Sequence, residues 1–86
     1  MTVRLRDDDL AWHTVRGELL AADMRSEMYL KGNQAAGILW ELLERGASRE
    51  ELADRLVGEF GIDYDLALCD VNSFLEELRV AGLLDD

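Results

Sequence analysis

A chain of 86 residues, 49% hydrophobic and 33% charged, has the composition of one globular domain. It is too short for a cofactor domain beside a substrate domain and too apolar for intrinsic disorder. Nineteen acids stand against nine Lys and Arg, and the net charge of −10 excludes binding to a phosphate backbone and opposes an anionic membrane surface.

The imbalance is uneven. Residues 1–46 carry a net charge of −2 and residues 47–86 a net charge of −8, so the second half is the one that attracts a basic partner. A single cysteine, Cys69, rules out an intramolecular disulfide and any multi-cysteine metal site. No run approaches the ~18 apolar residues of a membrane span. Met1 to Asp9 holds three acids and no apolar stretch, unlike a signal peptide, and the expected location is the cytoplasm.

The first third reads as strands. Val3-Arg4-Leu5-Arg6 alternates apolar and charged residues, and Ala11 to Val15 is rich in aromatic and β-branched residues. The first strand lies over 3–6, over 11–15, or over both. Arg16-Gly17 is a turn, Glu18 to Met24 a second run, and Arg25-Ser26 a second turn. Glu27 to Lys31 is a third run, ended by Gly32. The spacing is that of an antiparallel meander of about three strands.

Three helices follow. Asn33 is placed to cap the first and Gly46 to stop it. Its apolar residues, from Ala35 to Leu43, sweep roughly 200° at 100° per residue, too wide for a surface helix and enough for cover on two sides. Ser48-Arg49-Glu50-Glu51 is a capping box for the second helix, with Leu52, Leu56 and Phe60 at helical spacing and Gly61 at its end. Asp63 is placed to cap the third. There Ala67, Leu68, Val71, Phe74, Leu75, Leu78 and Ala81 form one stripe, and Gly82 closes it. A sheet followed by three closely joined helices is an α+β domain of winged-helix type, one domain over 1–86.

No catalytic constellation, cofactor motif or metal site is present, and no enzymatic activity is expected. His13 is the sole histidine and lies in a strand; Cys69 has no basic neighbour that would activate its thiol. Asp7-Asp8-Asp9 is a solvated charge run, since calcium loops interleave their ligands around a turn glycine. Trp12 and Trp40 suit core positions better than a stacking platform. A winged helix suggests DNA, but the third helix would present Asp65, Asp70, Glu76 and Glu77 against one base, Arg79, to the phosphates.

The string from Tyr29-Leu30-Lys31-Gly32-Asn33-Gln34 to Trp40-Glu41-Leu42-Leu43 resembles the strand-to-helix junction of PqqD-like proteins, also called RiPP recognition elements. Ser48 to Leu56, Phe60-Gly61-Ile62-Asp63, and Asp70-Val71 with Phe74-Leu75, Leu78 and Gly82-Leu83-Leu84 resemble later segments of that family, in the family's order. The match runs over roughly residues 3–84, with Gly32 standing where the family usually carries Leu. Stand-alone members of this size look most like the leader-binding proteins of lasso-peptide clusters.

The resemblance implies a non-catalytic module that binds the leader of a ribosomally made precursor peptide. Its implied partners are a leader peptidase and an asparagine-synthetase-like cyclase. The alternatives are a PqqD-like partner of a radical-SAM enzyme and, from another class, a winged-helix transcription factor or acidic adaptor.

An exposed strand edge invites strand addition. The expected peptide-binding residues are therefore Glu27, Met28, Tyr29, Leu30 and Lys31 on the edge run, with Asp70, Val71, Phe74, Glu77 and Leu78 on the third helix. The plain alternative for Val71, Phe74 and Leu78 is core packing.

Overall fold

The computed structural model describes residues 2–85; Met1 and Asp86, the ends of the expected 1–86 domain, lie outside them. Three strands precede three helices: β1 (Leu10–Val15), β2 (Glu18–Asp23), β3 (Met28–Gly32), α1 (Gln34–Arg45), α2 (Arg49–Phe60) and α3 (Tyr64–Val80). The sheet is antiparallel in the order β1-β2-β3. This is the expected α+β, winged-helix-like arrangement. Among the described residues no helix is long and apolar enough to cross a membrane.

The β1–β2 hairpin closes through Arg16 and Gly17, both at positive φ (54° and 84°). That is the two-residue turn whose twist matches the strands. Its closing pair, Val15 and Glu18, fixes which way every backbone group in the sheet points. In an antiparallel ladder, hydrogen-bonded and non-bonded pairs alternate. Glu18, Leu20 and Ala22 therefore bond β1, and Leu19, Ala21 and Asp23 bond Gly32, Leu30 and Met28 of β3 in the observed register. The bond from the Met24 amide to the Asp9 carbonyl continues the same alternation.

The first strand is 10–15. Val3 and Leu5 form isolated bridges to Ala47 and Leu84 instead of joining the sheet. The segment threads between the start of α2 and the chain's end, and Leu5 is buried there. Strand β3 begins at Met28, because Glu27 adopts φ 59° in the turn.

All three helices pack on one face of the sheet or on one another. Helix α1 lies against β2 and β3 on one side and α2 on the other, which explains its wide apolar arc. Trp40 and Leu43 at its centre are fully buried. The Ser48 hydroxyl accepts from the Glu51 amide and the Glu51 carboxylate accepts from the Ser48 amide, the full capping box. Asn33 caps α1 by accepting from the Ala36 amide. Asp63 stands at the N-cap of α3 but makes no side-chain cap bond.

Gly32 has a packing reason. A Cβ built there would lie 2.4 Å from the Ala36 Cβ, so β3 runs closer to α1 than any side chain permits. Gly32→Val is expected to lower stability by about 1–3 kcal/mol through overpacking. Urea unfolding would show this as a lower midpoint at unchanged slope.

Candidate functional site

Strand β3 is an edge, so one row of its backbone groups has no partner in the sheet. The alternation above assigns that row. Met28, Leu30 and Gly32 bond β2, leaving the N–H and C=O of Tyr29 and Lys31 directed outward. The side chains follow the opposite rule: Met28 and Leu30 are on the helix side, Tyr29 and Lys31 on the uncovered face. Tyr29 is 82% exposed.

Beside this edge runs a groove of about 330 Å³. Leu30 and Lys31 form one wall, α3 contributes Asp70, Ser73, Phe74 and Glu77 to the other, and Ala35, Leu39 and Leu56 lie in its floor. Leu39 and Leu56 are core residues seen from outside, while Phe74 is half-buried and continues the apolar floor up the helix wall. Asp70 and Glu77 are exposed at the rim. A smaller cavity of about 70 Å³ opens at the start of β3, bordered by Met28, Leu30, Trp40, Ala81 and Leu83. Leu30 thus lines both. Trp40 is fully buried, and its Nε1 has no hydrogen-bond partner among the described residues. A larger cleft of about 690 Å³ lies elsewhere, between the start of α2 and the second half of α3. It borders no strand edge and carries charges of both signs.

The groove thus brings together Leu30, Lys31, Asp70, Phe74 and Glu77 of the expected set. Met28 and Tyr29 border the smaller cavity. Val71 and Leu78 do not reach the surface: both are fully buried and support the α3 wall from behind. Glu27 stands in the turn before the strand. Ser73, Ala35, Leu39 and Leu56 were not anticipated. On a helical projection Asp70, Ser73, Phe74 and Glu77 fall within an arc of about 100°, next to the arc of Val71, Leu75 and Leu78. That shoulder is a signal the sequence does contain.

A polar cluster borders the smaller cavity. Asp23 is 7% exposed. Its carboxylate accepts from the Arg6 guanidinium at 2.6 Å, the Ser26 hydroxyl at 2.8 Å and the Arg25 amide at 3.0 Å. The hydrogen bond from Arg6, then that from Ser26, lowers the Asp23 pKa to about 2. Arg6 also donates to the Gly82 carbonyl just past α3.

The linkage has a definite sign. A carboxylate whose pKa is lowered by folding adds stability above its unfolded value of ~3.9. That contribution disappears as pH falls through about 2. Asp23→Asn should therefore be less stable at neutral pH, and its stability should fall less steeply between about pH 4 and 2. Acid titration of tryptophan fluorescence in both proteins reads the difference.

The family model described as coenzyme PQQ synthesis protein D (PqqD) matches residues 18–84. The chain belongs to the PqqD family. No curated protein matches it. Among solved structures it is similar to a chain described as TbiB1 in complex with the TbiA(beta) leader peptide. The TM-score is 0.84 at 23% identity, over 95% of this chain and 94% of that one. It is also similar to a lasso peptide synthetase B1 complexed with the leader peptide, with a TM-score of 0.82 at 23% identity over 98% of each chain. At that identity the likeness establishes the PqqD-type fold.

Proposed function

We propose that this PqqD-family chain is a non-catalytic recognition element, one domain acting in the cytoplasm. It captures the leader of a ribosomally made precursor peptide as an added strand on β3. It then delivers the precursor to lasso-type processing enzymes, a leader peptidase and a cyclase. The observation that carries the reading is the free backbone row of Tyr29 and Lys31 beside an apolar groove. An extended peptide can take main-chain bonds from the strand and place alternate side chains in the groove, the two ingredients of strand addition. Family membership and the leader complexes formed by the two similar solved proteins support it. The runner-up, in keeping with membership of the PqqD family, is partnership with a radical-SAM enzyme, which differs in the downstream enzyme and keeps the same groove. The genes beside this one separate the two.

The test is amide hydrogen exchange with and without the leader of the precursor encoded next to the gene. Tyr29 and Lys31 should gain protection, together with the groove side of α3. Protection confined to α2, with residues 28–32 unchanged, would exclude edge-strand pairing even if the leader bound.

A further inference from the structure

The charges around the groove are distributed by wall. Asp70 and Glu77 stand on α3, two helical turns apart, with the half-buried Phe74 between them. Neither carboxylate has an ion-pair partner among the described residues, although the other acids of α3 include Glu76, which is paired with Arg79. The opposite wall, formed by β3 and the start of α1, carries no acid, and the Lys31 side chain lies on the other face of the sheet. An apolar groove with two unpaired carboxylates on one lip and none on the other is electrostatically polar across its width.

We infer that the occupant is a peptide segment with two basic side chains on its α3 side, flanking an apolar residue seated against Phe74. This rests on the strand-addition reading and adds to it the chemistry of the partner. The spacing follows from geometry. Asp70 and Glu77 are separated along the helix by ~10 Å. Same-face residues of a strand are ~7 Å apart at two positions and ~14 Å at four. Only the four-position spacing leaves a same-face residue between the two bases to meet Phe74, and the flexible stems of Lys and Arg cover the excess over the helix spacing, so the two bases are four positions apart. The net charge of −8 over residues 47–86 draws such a segment in and speeds encounter, while the two rim carboxylates fix where its charges come to rest.

Random peptides of about 15 residues, long enough to cover a strand edge, are displayed and selected on the full chain. Selection is repeated on the Asp70→Asn/Glu77→Gln double variant and on Asp70→Lys/Glu77→Lys. Each selected peptide is checked for protection of the Tyr29 and Lys31 amides. Expected are peptides from the native chain with paired Lys or Arg at the stated spacing, which bind the neutral double variant about tenfold more weakly at low salt. The neutral variant should select the same apolar residues without the bases, and the lysine variant should select Asp and Glu in their place. Peptides that protect residues 28–32 but show no basic enrichment, or the same enrichment on all three proteins, overturn the charge assignment and leave strand addition standing. If no selected peptide protects residues 28–32, the strand-addition reading fails and the charge assignment fails with it.

Discussion

Tyr29→Pro should reduce leader binding by about 100-fold and leave the fold standing, whereas Leu30→Pro should damage the fold itself. The difference is one of backbone direction. The Tyr29 amide points away from the sheet and its side chain is 82% exposed, so proline there removes a donor that only a bound strand would use. Its stability cost should stay within about 1 kcal/mol. The Leu30 amide bonds Ala21 in the sheet, and its side chain packs against the core. Proline there breaks a ladder bond and withdraws apolar surface, a loss of about 2–4 kcal/mol. Circular dichroism and urea titration separate the two variants before any binding is measured. If Tyr29→Pro binds the leader as the native chain does, the peptide does not pair with this edge.

Phe74→Ala and Val71→Ala form a second contrast. Phe74 is half-buried at the groove wall, and Val71, three residues before it, is wholly in the core. Removing the Phe74 ring should weaken leader binding by about 30-fold, as for an aromatic anchor at the centre of an interface. Its stability cost, about 1–2 kcal/mol, should be below the 3–5 kcal/mol of a fully buried phenylalanine. Val71→Ala should cost about 2 kcal/mol in stability and leave the affinity of the folded fraction nearly unchanged. Calorimetric titration at 15–20 °C below each variant's midpoint would show this. Equal affinity losses would mean that the groove responds to core packing and that Phe74 has no direct contact with the peptide.

Local chemistry was legible in the sequence wherever a few neighbouring residues decide the outcome. The Ser48–Glu51 box closes on itself within four residues. The Arg16-Gly17 turn needs only two residues able to take positive φ. The broad apolar arc of α1 already implied a helix covered on two sides, though not that the sheet and α2 are the covers. What escaped depends on residues far away. The alternation of Val3 to Arg6 is that of a strand, yet its partners, Ala47 and Leu84, come from between α1 and α2 and from beyond α3, and each offers a single bridge. Glu27 was included in the edge run because nothing in its chemistry announces a left-handed turn residue.

On α3 the stripe from Ala67 to Leu78 was recognised, but its centre and its shoulder were not separated. Val71 and Leu78 were therefore grouped with Phe74. The depth of each residue depends on where α2 packs, and that is a tertiary fact. Gly32 looked like a weak strand end. Its reason, the approach of Ala36, becomes visible only when strand and helix are placed together.

Arg6 gives the smaller cavity at the start of β3 a property that its lining does not reveal. One guanidinium holds Asp23, where β2 turns toward β3, and the Gly82 carbonyl, where α3 ends. The two sides of the opening are thereby tied to a single planar fork, which a lysine ammonium would not reproduce with the same directions. The spacing between the end of β2 and the end of α3 is set before any peptide arrives. Ordering on association then falls almost wholly on the incoming chain. Peptides stiffened in an extended form should gain affinity through a smaller entropic loss, and loosening the Arg6 fork should erase much of that gain without touching a single residue that the peptide contacts.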